Sequence, residues 1–341
     1  MNGMALTIGL PEIVAAVIGV ALNAYVLTGG ADFGGGVWDL FASGPRRDQQ
    51  RALIAESIAP IWEANHVWLI VVIVVLFTAF PPAFAMLGTV LHIPLTIMLI
   101  GIVLRGSAFV FRSYGSHGRS RWGTAFAAAS IVTPFVLGIV VGAIATGRVA
   151  DAAARIGNGT FADVFVAPWA APFPAAVGLF ALALFAFLAA TYLTIDAEDD
   201  GLRDDFRARA LVAAALVFVC AAAALLLAHS AAPRVAMGVV GALVTQAATA
   251  IAAVTAIVAL WRRRFRVARI AAAAQVSLIL WGWLLAQYPY IVPPALSIKN
   301  AAAPAVTLRL LAIGLAAGAA VLLPSLRYML RTFKGRVRVA R

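Results

Sequence analysis

Residues 10–40 read LPEIVAAVIGVALNAYVLTGGADFGGGVWDL, a 31-residue run in which Asp32 and Asp39 are the only charged side chains beyond the first turn. A helix needs about 20 apolar residues to cross the hydrocarbon core of a bilayer, so this run predicts a membrane-spanning helix. As an unbroken helix the run would be roughly 45 Å long, at about 1.5 Å per residue. We therefore expect it either to protrude from the bilayer on its inner side or to loosen at glycines 29–30 or 34–36.

The rest of the chain has the same apolar character. Of its 341 residues 63% are hydrophobic and 12% are charged, and the mean hydropathy is +0.98. An ordinary soluble domain is about 25% charged, so this composition excludes a soluble enzyme and predicts an all-α polytopic membrane protein. We expect a single membrane domain over residues 1–341. Nine apolar runs predict nine transmembrane helices, at roughly 10–40, 62–80, 84–111, 122–147, 170–193, 208–228, 235–260, 267–288 and 305–328.

The net charge of +12 comes from Lys and Arg beside the apolar runs, which favours a role in orientation over nucleic-acid binding. The first, third, fifth and seventh loops and the C-terminal tail carry 19 of these residues, and the opposite loops carry 4. Positively charged loops stay on the cytoplasmic side of a membrane. The asymmetry therefore predicts an N-terminus on the outer side of the membrane and a cytoplasmic C-terminus.

Ionisable residues inside the predicted spans are the main candidates for chemistry, because each costs about 2.5–3.5 kcal/mol at membrane depth unless it finds a partner or water. They are Asp32 and Asp39 in the first span, Glu63 and His66 at the start of the second, and Arg105 in the third. All fall in the predicted cytoplasmic half. The spacing leaves two interpretations open: a charged layer that caps helices and pairs internally, or a path for protons from the cytoplasm.

Metal and cofactor sites find little support in the sequence. The lone Cys220 excludes an internal disulfide and a cysteine-based metal site. His92 is expected near the middle of the third span, and neither His117 nor His229 matches its depth, so we expect no haem and no metal ligand in this chain. The glycine-rich stretch lacks a preceding strand and a GK[ST] ending, which argues against a phosphate-binding loop.

Three segments carry a resemblance to a known family: TGGADFGGGVWDLF at 28–41, SIAPIWEANHVWLI at 57–70 and LRGSAFVFRSYG at 104–115. In this order they resemble subunit II of the cytochrome bd-type quinol oxidases, and the cyanide-insensitive branch in particular. The resemblance is strong over about residues 20–115 and rests on helix count, length and orientation beyond that.

The resemblance implies nine helices in a bacterial cytoplasmic (inner) membrane, with the N-terminus on the periplasmic side. It also implies a partner subunit I that carries haems b and d and oxidises quinol. A small single-helix subunit, membrane lipids and, in some members, a structural quinone are further expected neighbours. For this chain the resemblance implies no haem, no catalytic residue of its own, and a part in a proton path toward the oxygen-reducing haem. Glu63, next to Trp62 and before Asn65, matches the acidic member of that path. Some relatives have Asp in its place and Gln at His66.

The resulting hypothesis is a haem-free subunit II of a terminal quinol:oxygen oxidoreductase, which supports subunit I and delivers protons. Its proton-path residues are Glu63, Asp32 and His66. The supporting residues are Trp62, Asn65, Asp39 and Arg105. A proton-coupled secondary transporter is the alternative, disfavoured because the charged positions are confined to the first three predicted spans. A haem-binding membrane anchor is a third candidate, and it would need a second histidine at matching depth.

Overall fold

The computed structural model describes residues 9–58, 62–114, 119–233, 236 and 243–336, with a few side chains beside these gaps left out. Almost all of this part of the chain is helical. The helices are α1 (Leu10–Leu40), α2 (Arg47–Ile58), α3 (Trp62–Ala79), α4 (Pro81–Val90), α5 (His92–Tyr114), α6 (Arg119–Thr146), α7 (Arg148–Ala154), α8 (Phe161–Phe165), α9 (Pro172–Asp196), α10 (Asp200–Ala231), α11 (Leu243–Trp261), α12 (Phe265–Gln287) and α13 (Ala305–Arg336). A small antiparallel hairpin, β1 (Tyr290–Val292) and β2 (Leu296–Ser297), lies in the loop before α13 and was not expected from the sequence.

The predicted polytopic all-α architecture is confirmed. Within the described ranges eight helices are long and apolar enough to cross a membrane, and a ninth is counted if the bent pair α3 and α4 forms one span. Most helix bounds lie within a few residues of the prediction. In the predicted span 235–260, residues 235 and 237–242 lie outside the described residues, and α11 occupies the remainder.

The predicted start of the third span, 84–111, was wrong. Pro81 and Pro82 end α3, because proline has no N–H for the helix ladder and its ring clashes with the preceding turn. The chain then turns by 117° into the short helix α4, and the third long helix begins at His92. His92 is therefore the exposed first residue of α5, and not a residue near mid-membrane.

Helix α1 is continuous over all 31 residues, so the alternative in which it loosens at its glycines is not observed. These glycines instead allow close helix contacts. A Cβ on Gly34 would overlap with the carbonyl oxygen of Phe185 on α9, and one on Gly36 would overlap with Ser130 Oγ on α6. Helix α1 thus packs at backbone distance against α9 and α6.

One end of the bundle carries the arginine-rich loops, and we call it the basic end. There α2 is tied to α10: the Arg46 guanidinium donates to both carboxylate oxygens of Asp205, at 2.9 and 2.6 Å. The Gln50 side chain donates to Asp205 and accepts a hydrogen bond from Arg209. The Asp205 carboxylate raises the pKa of the Arg46 guanidinium, mainly through these hydrogen bonds.

The opposite end is covered by α4, α7, α8 and the hairpin, and we call it the capped end. Phe80, Val149 and Val292 are fully buried in its apolar cluster. The backbone N–H of Ala303 donates to the carbonyl of Ala79 at 2.8 Å, which joins the hairpin loop to the end of α3. The two ends therefore differ in kind, one rich in charge and the other closed by apolar packing.

Candidate functional site

The centre of the site is a buried ion pair between α1 and α5. The Arg105 guanidinium donates to both carboxylate oxygens of Asp32, at 3.0 and 2.6 Å, and to the Asp32 carbonyl oxygen at 3.0 Å. The two side chains are only 3% and 5% exposed. The bidentate pairing lets the two buried charges compensate each other, whereas either one alone would be an uncompensated charge at membrane depth.

A second ion pair repeats the first one two helical turns nearer the basic end. Arg112 donates to both carboxylate oxygens of Asp39, each at 2.8 Å. Both carboxylates lie on α1 and both arginines on α5, seven residues apart on each helix, so Asp32 and Asp39 share one face of α1. The spacing matches because α1 and α5 run in the same direction.

Helix α6 completes the environment of Arg105. The Arg105 Nε donates to Ser130 Oγ at 3.0 Å, and the serine hydroxyl donates in turn to the Phe126 carbonyl at 2.7 Å. The guanidinium also lies over the rings of Phe33 and Phe126, with its Cζ 4.8 and 4.9 Å from their centroids. Aromatic faces attract a cation, and this attraction is stronger where water is excluded.

A cavity of about 260 Å³ adjoins the Asp32 side of this pair. It is formed by α1, α2, α3, α9, α12 and α13, all in the half of the bundle toward the basic end. Its walls are mostly apolar, and its polar lining residues are Thr28, Asp32, Ser57, Asn65, Tyr192, Asp196 and Arg269.

Asn65 contributes to the cavity wall a buried amide donor that a water molecule can satisfy. The residue is 3% exposed, and its side-chain Nδ2 has no hydrogen-bond partner within the described part of the chain. A buried amide donor without a partner costs about 1–3 kcal/mol. Buried waters typically occupy sites that offer them such groups and enough volume. A cavity of this size, with Asn65 and Asp32 in its wall, can hold several hydrogen-bonded waters.

The lining near the basic end is charged. Asp196 is the exposed last residue of α9, and Arg269 of α12 is half-buried. The Arg269 guanidinium lies 4.6 Å from the centroid of the Tyr192 ring. The cavity therefore extends from a surface carboxylate to a buried one.

The predicted site residues divide into three groups. Asp32, Asn65 and Arg105 come together at the cavity and its ion pair, and Asp39 lies in the second ion pair. His66 follows Asn65 on α3 and is half-buried, and it is not among the residues that line the cavity. Trp62 and Glu63 open helix α3, but their side chains lie outside the described residues.

Sequence reasoning missed four residues: Ser130, Tyr192, Asp196 and Arg269. Ser130 stands in an apolar run as an ordinary helix-packing residue, and Tyr192 was read as part of an apolar span. Arg269 was counted with the loop charges and Asp196 was not considered, although each lies near the end of a long apolar helix. Because these two residues belong to α9 and α12, the charged lining is not confined to the first three predicted spans, which corrects one argument against a transporter.

The described histidines lie apart from one another. Among the described residues, no group of three or more His, Cys, Asp or Glu could hold a metal ion. His92 and His229 are exposed at helix ends, and each ring Nδ1 lies within 3 Å of a backbone carbonyl on its own or the adjoining helix.

Comparison with known sequences decides the family. The profile of the family described as "Cytochrome bd terminal oxidase subunit II" matches residues 10–333, nearly the whole chain. This protein belongs to the cytochrome bd oxidase subunit II family. Members of this family are bacterial inner-membrane proteins of the respiratory chain, and the spanning helices of this subunit II agree with that location.

Individual relatives match over shorter segments. "Cytochrome bd-I ubiquinol oxidase subunit 2" of Escherichia coli K12 is 29% identical over 212 residues, which cover 61% of this chain and 54% of the relative. "Cytochrome bd ubiquinol oxidase subunit 2" of Bacillus subtilis 168 is 31% identical over 137 residues, 40% of each protein. The matched segments thus span about half the length of these relatives or less.

The fold extends over the whole chain. A chain of the bd oxidase structure from Geobacillus thermodenitrificans superposes with a TM-score of 0.78, covering 95% of this subunit II and 98% of that chain. The sequences are 23% identical, so this match concerns the arrangement of helices. The resemblance that was strong over residues 20–115 therefore extends, as a fold, to the C-terminal helices.

Proposed function

We propose that this subunit II is the haem-free partner of a haem-bearing subunit I in a quinol:oxygen oxidoreductase, which it supports and supplies with protons from the cytoplasm. When the partner's haems b and d are bound, they supply the electron transfer from quinol and the four-electron reduction of O2 to water. The observation that carries the proposal is the cavity in the half of the bundle toward the basic end, whose wall includes Asp32 and Asn65. The Asn65 Nδ2 has no hydrogen-bond partner among the described residues.

Each path residue has a role that its position supports. Asp32 is held by Arg105, so it orients water at a fixed point of the cavity wall. Asn65 donates to that water. Glu63 stands two residues before Asn65 on α3, where its carboxylate is the proposed carrier that accepts and releases the proton. His66, Trp62 and the Asp39–Arg112 pair shape the surroundings of this carrier.

The closed packing at the capped end supports an uptake path with one open side. Asp39–Arg112 lies between Asp32 and the basic end and satisfies the interpretation of internal pairing. Asp32 is paired and also lines the cavity, which supports internal pairing and a proton path together. The proposal does not depend on a structural quinone or a lipid.

Replacement of Glu63 by Gln tests the proton role. We expect the complex to assemble with its haems and quinol-driven oxygen uptake to fall by about tenfold or more, because a positioned proton carrier contributes on the order of 10²-fold or more to a rate. Glu56→Gln is the matched control, since Glu56 is an exposed carboxylate on α2. Full turnover of an assembled Glu63→Gln complex would refute the proton role.

A tagged chain, purified from mild-detergent membranes, tests the partnership itself. A co-purifying subunit with b- and d-type bands in the reduced-minus-oxidised spectrum is the expected result. A single chain without haem would refute the oxidase role and make a proton-coupled transporter the leading candidate. A haem band retained by this chain alone would indicate a haem-binding anchor.

Thiol labelling tests the proposed orientation, with the basic end in the cytoplasm. Cys220→Ser removes the one native thiol, and Asp48→Cys and Asn158→Cys then place single thiols at exposed positions on the basic and the capped end. In intact spheroplasts an impermeant maleimide is expected to label position 158, and to label position 48 only after the membrane is opened. The reverse pattern would contradict the charge-based orientation.

A further inference from the structure

Asp196 is a carboxylate with no stabilising contact among the described residues. It is the last residue of α9, where the negative end of the helix dipole disfavours an anion by about 0.3–1 kcal/mol. Among the described residues it forms no hydrogen bond and no ion pair. Its neighbour in sequence Asp199 caps α10 by accepting from Leu202 N–H, and Asp200 pairs with Arg203, so the other carboxylates of this loop do have partners.

The position of Asp196 connects the surface with the cavity. The residue is exposed and also lines the cavity that reaches Asp32 and Asn65. The cavity wall also includes Tyr192, one turn before Asp196 on α9, and Thr28, one turn beyond Asp32 on α1. A row of hydrogen-bonded waters in this cavity would therefore join an exposed carboxylate to the buried one.

Arg269 adds a positive charge to the wall of the outer part of the cavity. It is fixed over the Tyr192 ring, and its guanidinium forms no ion pair within the described ranges. A fixed positive charge disfavours Na⁺ and K⁺ in a narrow cavity of this kind. A proton can still pass, because it moves as part of a neutral carboxylic acid or along hydrogen-bonded water, and not as a free ion.

We infer that Asp196 collects protons at the mouth of the cavity and passes them inward. Its carboxylate takes a proton from water at the basic end and becomes a neutral acid. That acid gives the proton to a cavity water and returns to the carboxylate, so that charge and atoms balance in each cycle. This inference rests on the proposed function and adds a residue on α9, outside the family segments noted in the sequence.

Asp196→Asn in the complete oxidase complex tests the inference. We expect normal haem content per complex and a loss of oxygen uptake on the order of tenfold, toward the low side of what a proton-transfer group contributes. The deficit should widen as pH rises, because protons in bulk water become scarcer. Asp196→Glu should keep most of the rate. The matched control is Asp200→Asn, since Asp200 is 82% exposed and its ion-pair partner among the described residues is Arg203.

Added acetate separates a proton role from a merely structural one. A small weak acid can carry protons from bulk water to the mouth of the cavity, so acetate should restore much of the rate in Asp196→Asn and leave the parent and Asp200→Asn unchanged. Failure of acetate to restore an assembled, slow Asp196→Asn complex would overturn the inference in favour of a structural role.

A second variant covers the case in which Asp196→Asn does not assemble. Thr28→Cys in the Cys220→Ser background places a thiol in the cavity wall, and a small methanethiosulfonate would then fill the space. Slower turnover on modification, compared with the identically treated Cys220→Ser parent, supports the cavity as the route inward from Asp196. Unchanged turnover of the fully modified complex would overturn it.

Glu63→Gln in the same assay tells the two proposals apart. A slow Glu63→Gln with a full-speed Asp196→Asn rejects Asp196 as the mouth and leaves the proton role of the subunit standing. Full-speed turnover of both variants rejects the proton path altogether.

Discussion

Arg105→Met is expected to destabilise the subunit by roughly 3–5 kcal/mol, because it leaves the Asp32 carboxylate uncompensated at a position 5% exposed. It also removes the donor to Ser130 and the cation between the Phe33 and Phe126 rings. The measurement is the amount of folded complex that survives a series of temperatures in mild detergent, followed by fluorescence-detected size exclusion. A loss of most of the complex at temperatures the parent survives is the expected result.

The double variant Asp32→Leu/Arg105→Met separates the effect of the ion pair on stability from its effect on turnover. Replacing both members of a buried ion pair by apolar side chains is often neutral or stabilising, so the double variant should recover most of the lost stability. Its turnover should remain low if Asp32 orients water for the path. Arg112→Met is the graded control, because Arg112 is 20% exposed and its loss should cost less. Parent-like heat resistance of Arg105→Met would contradict the assigned role of the pair.

Gly34→Ala is expected to be the most damaging addition of a single methyl group in α1. The new Cβ would overlap with the Phe185 carbonyl oxygen, a backbone atom that cannot rotate away. Helices α1 and α9 would have to separate, which also strains the hydrogen bond from Trp38 Nε1 to the Ala186 carbonyl at 2.7 Å. Overpacking of this kind costs about 1–3 kcal/mol and occasionally more.

Gly88→Ala controls for the loss of glycine itself. A Cβ at Gly88 on α4 would meet no atom within 4 Å. Alanine is favoured over glycine inside a helix by about 1 kcal/mol, so this variant should be neutral or slightly more stable. The same heat series applies to both variants. Equal behaviour of Gly34→Ala and Gly88→Ala would show that α1 and α9 can separate without cost.

Several features of the site were predictable because they depend on spacing along one helix. The seven-residue spacing of Asp32 and Asp39 gives them one face of α1 wherever that helix packs. Arg105 could be singled out as a charge in an apolar run. The pairing of the two aspartates with arginines 73 positions later could not be predicted, because many arrangements of helices are compatible with the same sequence.

The error at His92 has a local cause. Hydropathy is continuous across residues 81–91, and a count of apolar residues cannot tell a short helix bent by 117° from the first turns of a span. The two prolines were the available signal, since they end a helix that cannot continue past them. Their effect on direction depended on the packing of α4 against α7 and the hairpin at the capped end.

The sequence by itself determined that this chain spans a membrane several times as helices, because no polar surface is available to make it soluble and lipid leaves backbone groups no other partners. Its motifs also determined the family. Only the tertiary structure decided that Asp32 is both paired and next to a cavity, and that Asp196 and Arg269 line the same cavity. It also left the Asn65 Nδ2 without a hydrogen-bond partner in the described part of the chain. These properties depend on distances between helices remote in sequence, and helix packing in a membrane is set by shape and small residues, not by hydropathy.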